Sequence, residues 1–562
     1  MKWIVREDRS NLGDTLLSRV ICNRDLAITK FNKYSISDLN SHQNLFNIDK
    51  FVNLVESFKK SNSKVFIHGD FDVDGISATA LLWRFLYEEL NLNVIPFIPD
   101  RFTDGYGLTR NSIENIVAQG GEVIITVDCG IKDGEIINEF SDSIKFIVTD
   151  HHTLLPEENI NTDNKDYFVK VEEYYVPSKA LCVIHPKLSY VTQNIEISGS
   201  MVAFKLCLAL TEYFKLNVDL GKYIALATLG TVCDVMPLIG DNRIITALGL
   251  KEITNRKCIG LNALIDINGL SNKTLTTYDI GFIIGPRLNA AGRLESAMTS
   301  LRLLCTNSYD YALKLAQKLN LLNLKRQQET DRLLKTVENL INVTSSNFLY
   351  AYDYNWPEGI IGLVAGKLAE KYNKPIAVGT ILEDSIKASA RSIDGFNITK
   401  KIGSLSKYLQ RYGGHEKAAG FTLLYSNAQT FFSELTSIAN EEITNDMLEK
   451  KIYIDLEIKP SEINIENYMQ LSLLEPFGYG NTRPMFLIKS VKLMDIKHFS
   501  KVSKFTFIRD NIIFSGFSFE KFDVFMNPQK DFDLVFYMDF DEYIQNTSVQ
   551  IIDIKQSSLH CN

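Results

Sequence analysis

His68, Asp70, Asp72 and Asp74 fall within seven residues of the stretch "VFIHGDFDVDGIS", where an apolar run stops and three carboxylates follow at alternate positions. Two carboxylates 4 Å apart repel by about 4 kcal/mol at an effective dielectric near 20, so such a cluster is either well solvated or holds a cation. Three further sites repeat the signal. Asp128 follows "EVIITV", the triplet Asp150-His151-His152 follows "KFIVT", and Asp234 interrupts the apolar "ATLGTVCDVMPL". A carboxylate inside such a run is costly to bury without a partner. Oxygen donors joined by one or two imidazoles suit a hard divalent ion, Mn²⁺ first and Mg²⁺ as the close alternative, whereas zinc would want more nitrogen or sulfur. His68, Asp72 and Asp74 form an H-x-x-x-D-x-D pattern, and Asp70 reads as a helix cap. Two ions in such a cluster make a protein nucleophile unnecessary.

The elements that must position these residues are legible as a pattern. From residue 64 to about 152, short apolar runs ("KVFIH", "NVIPF", "EVIITV", "KFIV") alternate with helical stretches such as "ISATALLWRFLYEEL". Such runs predict a parallel sheet covered on both faces, and ligands of such sheets bind at the carboxyl ends of the strands. All of the unusual polar residues fall on that edge. Residues 157–180 read as a polar surface insertion. Between Leu301 and Trp356 there is neither Gly nor Pro, and Leu315, Leu319, Leu322, Val337 and Leu340 recur at helical spacing, which predicts one long helix joining two lobes. A second α/β unit is expected over about 347–445, and the alternating runs after about 450 predict a small β-barrel. The expected division is therefore 1–44, 45–305, 306–346, 347–446 and 447–562.

Composition narrows the class. With 45% hydrophobic and 23% charged residues the chain is ordinary globular protein, and at 562 residues it is too long for one core. The first residues carry no apolar signal segment and no run is long enough to span a bilayer, so a cytoplasmic protein without a membrane partner is expected. The eight cysteines show no C-x-x-C pair, which fits reduced thiols and no structural zinc. A net charge of −8 argues against coating of nucleic acid through global charge. A local basic segment remains: between Lys387 and Lys417 seven Lys or Arg face two acids, Asp394 and Glu416. Candidate phosphate contacts are Arg287, Asn289 and Arg293 in "GPRLNAAGR", Arg391 and Ser392 in "SARS", Gly413, Gly414 and His415 in "GGH", and Arg101 and Tyr106 in "DRFTDGYGL".

Taken in order, "HGDFDVDG", "VDCG", "VTDHH" and "LGTVCDVMPL" resemble the four motifs of the DHH phosphoesterase superfamily. "FIIGPRLNAAGRLESA" and "YGGHEKAAGF" are similar to its bacterial RecJ family of single-stranded-DNA exonucleases. The resemblance runs from about residue 45 to 560. It implies a DHH domain, a long linking helix, a DHHA1 domain and a C-terminal OB-like β-barrel. It also implies processive 5′→3′ hydrolysis of single-stranded DNA to mononucleotides with two Mn²⁺ or Mg²⁺ ions, in DNA repair and recombination. By motif position, one ion would be held by Asp72, Asp128 and His68, and the second by Asp74, Asp128, His151 and Asp234. His152 would face the scissile phosphate, with Asp150 among the catalytic groups. A RecQ-type helicase and a single-strand-binding protein would be partners of a monomer. A non-catalytic RecJ-like scaffold, or a phosphodiesterase of short oligonucleotides, would be the alternatives. The intact Asp72, Asp74, Asp128, His151 and Asp234 disfavour the first, and the barrel-like tail disfavours the second.

Overall fold

The computed structural model describes all residues except 8, 10–14, 27–30, 32, 106, 158–159, 161–163, 189–195, 345, 523–529, 542–544 and 558–562. Two compact units result, Ser35–Leu448 on one hand and Met1–Tyr34 with Glu449–Asn562 on the other.

The larger unit begins on a five-stranded, wholly parallel sheet in the order Val94–Phe97, Val65–Gly69, Val123–Val127, Lys145–Thr149, Cys182–Ile184. Its strands are apolar on both faces because both are covered. Val65, Ile67, Val123, Ile125 and Ile147 face one core with the helices Val73–Arg84 and Gly199–Tyr213. Phe66, Ile124, Phe146 and Val148 face another with Ile113, Ile116 and Ile137. The chain leaves the strand Val65–Gly69 toward one edge and returns to its other side at Val123–Val127, so the crevice beyond these two carboxyl ends is the switch point where such sheets bind ligands.

A 32-residue helix, Tyr309–Leu340, follows, its first turn capped by the Ser308 side chain. Ala312, Ala316, Leu319 and Leu322 on its first half belong to the core of the parallel sheet. Leu333 and Val337 on its second half belong to the core around the helix Glu358–Tyr372. One amphipathic stripe thus ties two lobes together. The second lobe is a five-stranded mixed sheet ordered Leu349–Tyr354, Ile376–Leu382, Ser385–Arg391, Ala418–Leu424, Leu409–His415, parallel only at its first pair. The insertion expected at 157–180 contributes a small antiparallel sheet of Leu155–Pro156, Tyr174–Pro177 and Phe168–Val171.

In the smaller unit, Met485–His498, Ser503–Arg509, Ile512–Ser518, Asn546–Gln556 and Asp531–Asp541 form a sheet that closes when the last pairs with the first, giving a five-stranded barrel. Lys2–Val5 pairs in parallel with Lys451–Ile454, and Leu16 and Val20 enter the barrel core. Arg24 holds the buried Asp455 carboxylate at 2.6 and 2.7 Å. The first 34 residues therefore fold with the tail, a pairing across some 450 positions that no local pattern announces. No helix among the described residues is long and apolar enough to cross a membrane.

Candidate metal centre

The parallel sheet delivers Asp70, Asp72, Asp128, Asp150, His151 and His152 to one edge, each just after a strand. Asp72 caps the helix Val73–Arg84, its carboxylate accepting from the Asp74 and Gly75 amides at 2.9 and 3.1 Å. The cap expected of Asp70 is thus made by Asp72, two residues on. Gly75 is obligatory here, since a Cβ would lie 2.5 Å from the Asp70 carbonyl oxygen. Asp70 instead accepts from the Phe71 amide at 2.7 Å. Asp128 sits at φ +61°, a left-handed conformation that a buried non-glycine residue adopts at a cost of order 1–3 kcal/mol.

Three groups of ligand atoms lie within 4.8 Å of one another: Asp70, Asp72 and Asp128; Asp74, His151 and Asp234; and Asp128, His151 and His152. Asp128 and His151 are shared between groups. Nε2 of His151 lies 2.9 Å from Asp128 Oδ1, 3.6 Å from Asp234 Oδ2 and 3.7 Å from Asp74 Oδ2. All of these except the Asp74 oxygen are buried atoms without a hydrogen-bond partner. Buried donor atoms that converge without a hydrogen-bond partner are the donor set of a cation, and oxygen with a minority of imidazole nitrogen suits Mn²⁺ or Mg²⁺. His68 stands apart from these groups. Its fully buried ring stacks on Phe97 at 5.4 Å with Nδ1 3.7 Å from Cys129 Sγ, and burial lowers its pKa to about 4. Geometry gathers Asp70 where the motif pattern offered His68.

The electrostatics have the same origin. Burial, and after it the neighbouring Asp72, push the Asp70 carboxyl up to about 8. Burial and Asp74 push Asp234 up to about 9, and Asp72 and Asp128 are raised for the same reasons. Asp150 moves the other way. Burial opposes its charge, but the His152 ring overcomes that, and Asp150 is held below the usual carboxylate range. Its Oδ1 accepts from the His151 amide at 2.7 Å, the His152 amide at 3.1 Å and His152 Nδ1 at 2.8 Å, while Oδ2 accepts from the Ile131 amide at 3.0 Å. Asp150 thus orients both histidines and contributes to none of the three groups. Burial lowers the His152 pKa, yet Asp150 outweighs it and raises the ring to about 9.

Several participants escaped the sequence reading. Asp74 accepts from the Gly199 and Ser200 amides, at 2.6 and 3.0 Å, at the start of the helix Gly199–Tyr213, whose N-terminal dipole favours an anion. A Cβ at Gly230 would lie 2.1 Å from Asp74 Oδ1. Neither glycine carries a local signal, because each answers to a residue over 100 positions away. His185, which follows the strand Cys182–Ile184, accepts the Lys187 amide on Nδ1 at 3.1 Å. Its Nε2–H therefore donates to the His152 carbonyl at 2.7 Å. Its place at a strand end was a signal the sequence did offer.

The expected phosphate contacts divide. Arg101 stacks over Phe71 at 4.0 Å, and although burial lowers its pKa, Asp70 and Asp72 pull it back up, which places it beside the cluster. Arg293, nearly buried, is lowered to about 9 by burial and then by Arg101, Arg326 and Arg391. Four arginines therefore share one neighbourhood, of which Arg326, on the long helix, was not anticipated. Arg293 donates to the Gly359 carbonyl at 3.1 Å and helps line a cavity of about 410 Å³ with Phe102 and Trp356. Arg391 is braced by Ser389 Oγ at 2.9 Å. His415, at the end of the strand Leu409–His415, has its pKa lowered by partial desolvation and then by Arg391, with His152 also within electrostatic reach. Arg287 is pinned by Asn320 Oδ1 at 3.0 Å and the Ile283 carbonyl at 2.6 Å. Ser392 spends its hydroxyl on the Phe396 carbonyl. Gly413 has open space around it, whereas a Cβ at Gly414 would meet the Ala418 carbonyl at 2.2 Å. Asn289 is half-buried on the helix Gly285–Leu294, and Tyr106 lies outside the described residues.

A carboxylate–imidazole cluster at the switch point of a parallel sheet, joined by one long helix to a second α/β lobe, is the architecture of the DHH class. The profile of the DHH family, N-terminal domain, matches residues 64–231, the DHHA1 domain residues 345–441, and the RecJ OB domain residues 454–554. The chain is 32% identical to the single-stranded-DNA-specific exonuclease RecJ of Bacillus subtilis, over 77% of this chain and 53% of that protein. It thus spans about half the length of that relative. The protein of the same name in Escherichia coli is 28% identical over 96% of this chain and 95% of its own. A crystal structure of exonuclease RecJ bound to manganese aligns with a TM-score of 0.60 and 30% identity, covering 72% of this chain and 97% of that one. The chain belongs to the RecJ family.

Proposed function

We propose that the protein is a metal-dependent, single-stranded-DNA-specific exonuclease that hydrolyses phosphodiester bonds from the 5′ end and releases mononucleotides. The observation that carries this reading is the convergence of the unbonded Asp128 Oδ1, His151 Nε2 and Asp234 Oδ2 at the sheet edge, with Arg101 and Arg293 within electrostatic reach of the cluster and Arg326 and Arg391 near Arg293. Asp70, Asp72 and Asp128 would hold one divalent cation, Asp74, His151 and Asp234 the other, with Asp128 between them. When bound, two such ions supply Lewis acidity that activates water at neutral pH and stabilises the leaving oxygen of an in-line displacement.

The chain's own residues do the rest. Asp150 fixes the His152 ring through Nδ1, so the proton-bearing Nε2 is the atom turned toward a phosphate oxygen. Without metal, Asp150 holds the ring's pKa near 9. His185 holds the His152 carbonyl and so limits rotation of that segment. Arg101, Arg293, Arg326 and Arg391 grip phosphates of a single backbone. Such a grip follows a strand without reading its bases, and a duplex would bring a second row of phosphates that needs its own neutralisation.

A non-catalytic scaffold would have no use for buried carboxylates that repel one another, and a phosphodiesterase of short oligonucleotides would have none for the barrel. The setting is DNA repair and recombination in the cytoplasm, with a monomer acting on strands opened by a RecQ-type helicase and coated by single-strand-binding protein. The test is degradation of 5′-labelled and 3′-labelled oligonucleotides and of a blunt duplex, with Mn²⁺, with Mg²⁺ and with chelator. Early release of the 5′ label, dependence on the metal and a resistant duplex are expected. Equal rates on blunt duplex and single strand, or undiminished hydrolysis in chelator, would overturn the reading.

A further inference from the structure

The wide helical turn Asp279–Ile284 and the Tyr278 that caps it leave two large rings in solvent, on an element packed against the helix end that leads into Asp234. Tyr278 is 63% and Phe282 70% exposed, and the rings stack on each other with centroids 4.9 Å apart and planes 23° from parallel. The turn itself is rigidly held. Ile280 and Ile284 are buried on its inner side. The buried Asp279 accepts from the Thr276 amide at 2.9 Å and from Lys273 Nζ at 2.6 Å. The inner side packs on the end of the helix Gly221–Cys233, so closely that a Cβ at Gly285 would lie 2.5 Å from Cys233 Sγ. The next residue after Cys233 is Asp234, a member of the metal-holding group. The segment leaving Asp234 adds two more exposed apolar side chains, Val235 at 63% and Ile239 at 53%.

Charge identifies the occupant. Arg287, five residues beyond Phe282 and bonded to the Ile283 carbonyl, is lowered by burial and next by the charge of Arg326, so a second guanidinium group stands near it. Aromatic faces beside arginines are what bases and phosphates of a single strand require, since every base has a face to stack and every linkage a charge to neutralise. We propose that Tyr278 and Phe282 form a base-stacking platform for single-stranded nucleic acid whose backbone passes Arg287 and Arg326 on its way to the metal centre. The proposal rests on the exonuclease reading. A ring pair stacked on itself and mounted on a packed turn needs little ordering when the base arrives, and this limits the entropic cost of binding.

The test compares Tyr278→Ala/Phe282→Ala with Tyr278→Trp/Phe282→Trp in the full chain. Binding is measured in chelator with an oligothymidylate of about 20 nucleotides carrying one 2-aminopurine, a length that exceeds the site of one binding module. Stacking predicts quenching of the 2-aminopurine by the wild type. It also predicts about 10-fold weaker binding by the alanine pair, from the loss of stacking under one base, and restoration by the tryptophan pair. The ratio of long-strand to dinucleotide KM, measured with Mn²⁺, should rise by a similar factor in the alanine pair. Unchanged long-strand affinity would overturn the platform and leave the rings to a protein partner. An equal rise in both KM values would also overturn it, because the substitution would then act through the site itself. No hydrolysis of either substrate by the wild type would be a failure of the exonuclease reading, separate from these.

Discussion

Gly230→Ala offers a sharp test of how the metal centre is assembled. In an exposed helix this substitution stabilises by about 1 kcal/mol, because alanine loses less backbone freedom than glycine on folding. At Gly230 the added methyl would lie 2.1 Å from both Asp74 Oδ1 and Ser200 Oγ, far inside contact distance. One of the two must move. Displacing Asp74 breaks its hydrogen bonds to the Gly199 and Ser200 amides, at 2.6 and 3.0 Å, each worth about 1.5–3 kcal/mol as a bond to a charged group. Shifting the backbone instead costs about 1–3 kcal/mol of overpacking. Even the smaller of these offsets the propensity gain. A carboxylate displaced by about 1 Å should lower turnover about 100-fold. The control is Gly366→Ala in the helix Glu358–Tyr372, where a Cβ meets nothing within 4 Å. It should raise the melting temperature and leave turnover alone. The assay pairs thermal melting with hydrolysis of a labelled single strand. A Gly230→Ala protein as stable and as fast as the wild type would refute the claim that Asp74 is held against this helix.

Because Asp70 joins Asp72 and Asp128 within 4.8 Å and does not cap the helix, Asp70→Asn should weaken Mn²⁺ binding at least 10-fold, about 1.4 kcal/mol. Calorimetric titration showing unchanged affinity would return Asp70 to a supporting role. Asp70 and Asp234, ordinarily near 3.8, stand near 8 and 9 in the folded chain without metal. A raised folded pKa confers stability that is complete below about pH 4 and is lost as pH rises through 8 to 9. The melting temperature without metal should therefore fall across that window, Mn²⁺ should remove the slope, and metal binding at pH 7 should release protons; a flat profile in chelator would contradict the burial argument. Arg391→Ala should reduce the slope of log affinity against log salt by about 0.7 for a single strand, and a lower turnover at unchanged slope would assign Arg391 to the chemistry.

Much of the chemistry was determined by the sequence alone. Strand periodicity and the sheet-edge rule place Asp70, Asp72, Asp74, Asp128, Asp150, His151 and His152 together because each lies within a few residues of a strand end, and the geometry of a parallel sheet does the rest. The long helix was equally legible, since an apolar stripe without Gly or Pro is a local property. What only the tertiary structure decided involves partners far apart in the chain. That Asp72 and not Asp70 caps its helix depends on where the backbone turns, which two aspartates at alternate positions cannot specify. That Asp70 faces the cluster while His68 stacks on Phe97 depends on how the chain turns after the strand ends at Gly69, since strict alternation would put residues 68 and 70 on one face. Gly230 and Gly199 reach Asp74, and Arg326 reaches Arg293, only when their helices pack in the folded unit. Lys2–Val5 finds Lys451–Ile454 only in the folded unit. Local pattern encodes which residues leave a strand together, and packing across hundreds of positions encodes what they meet.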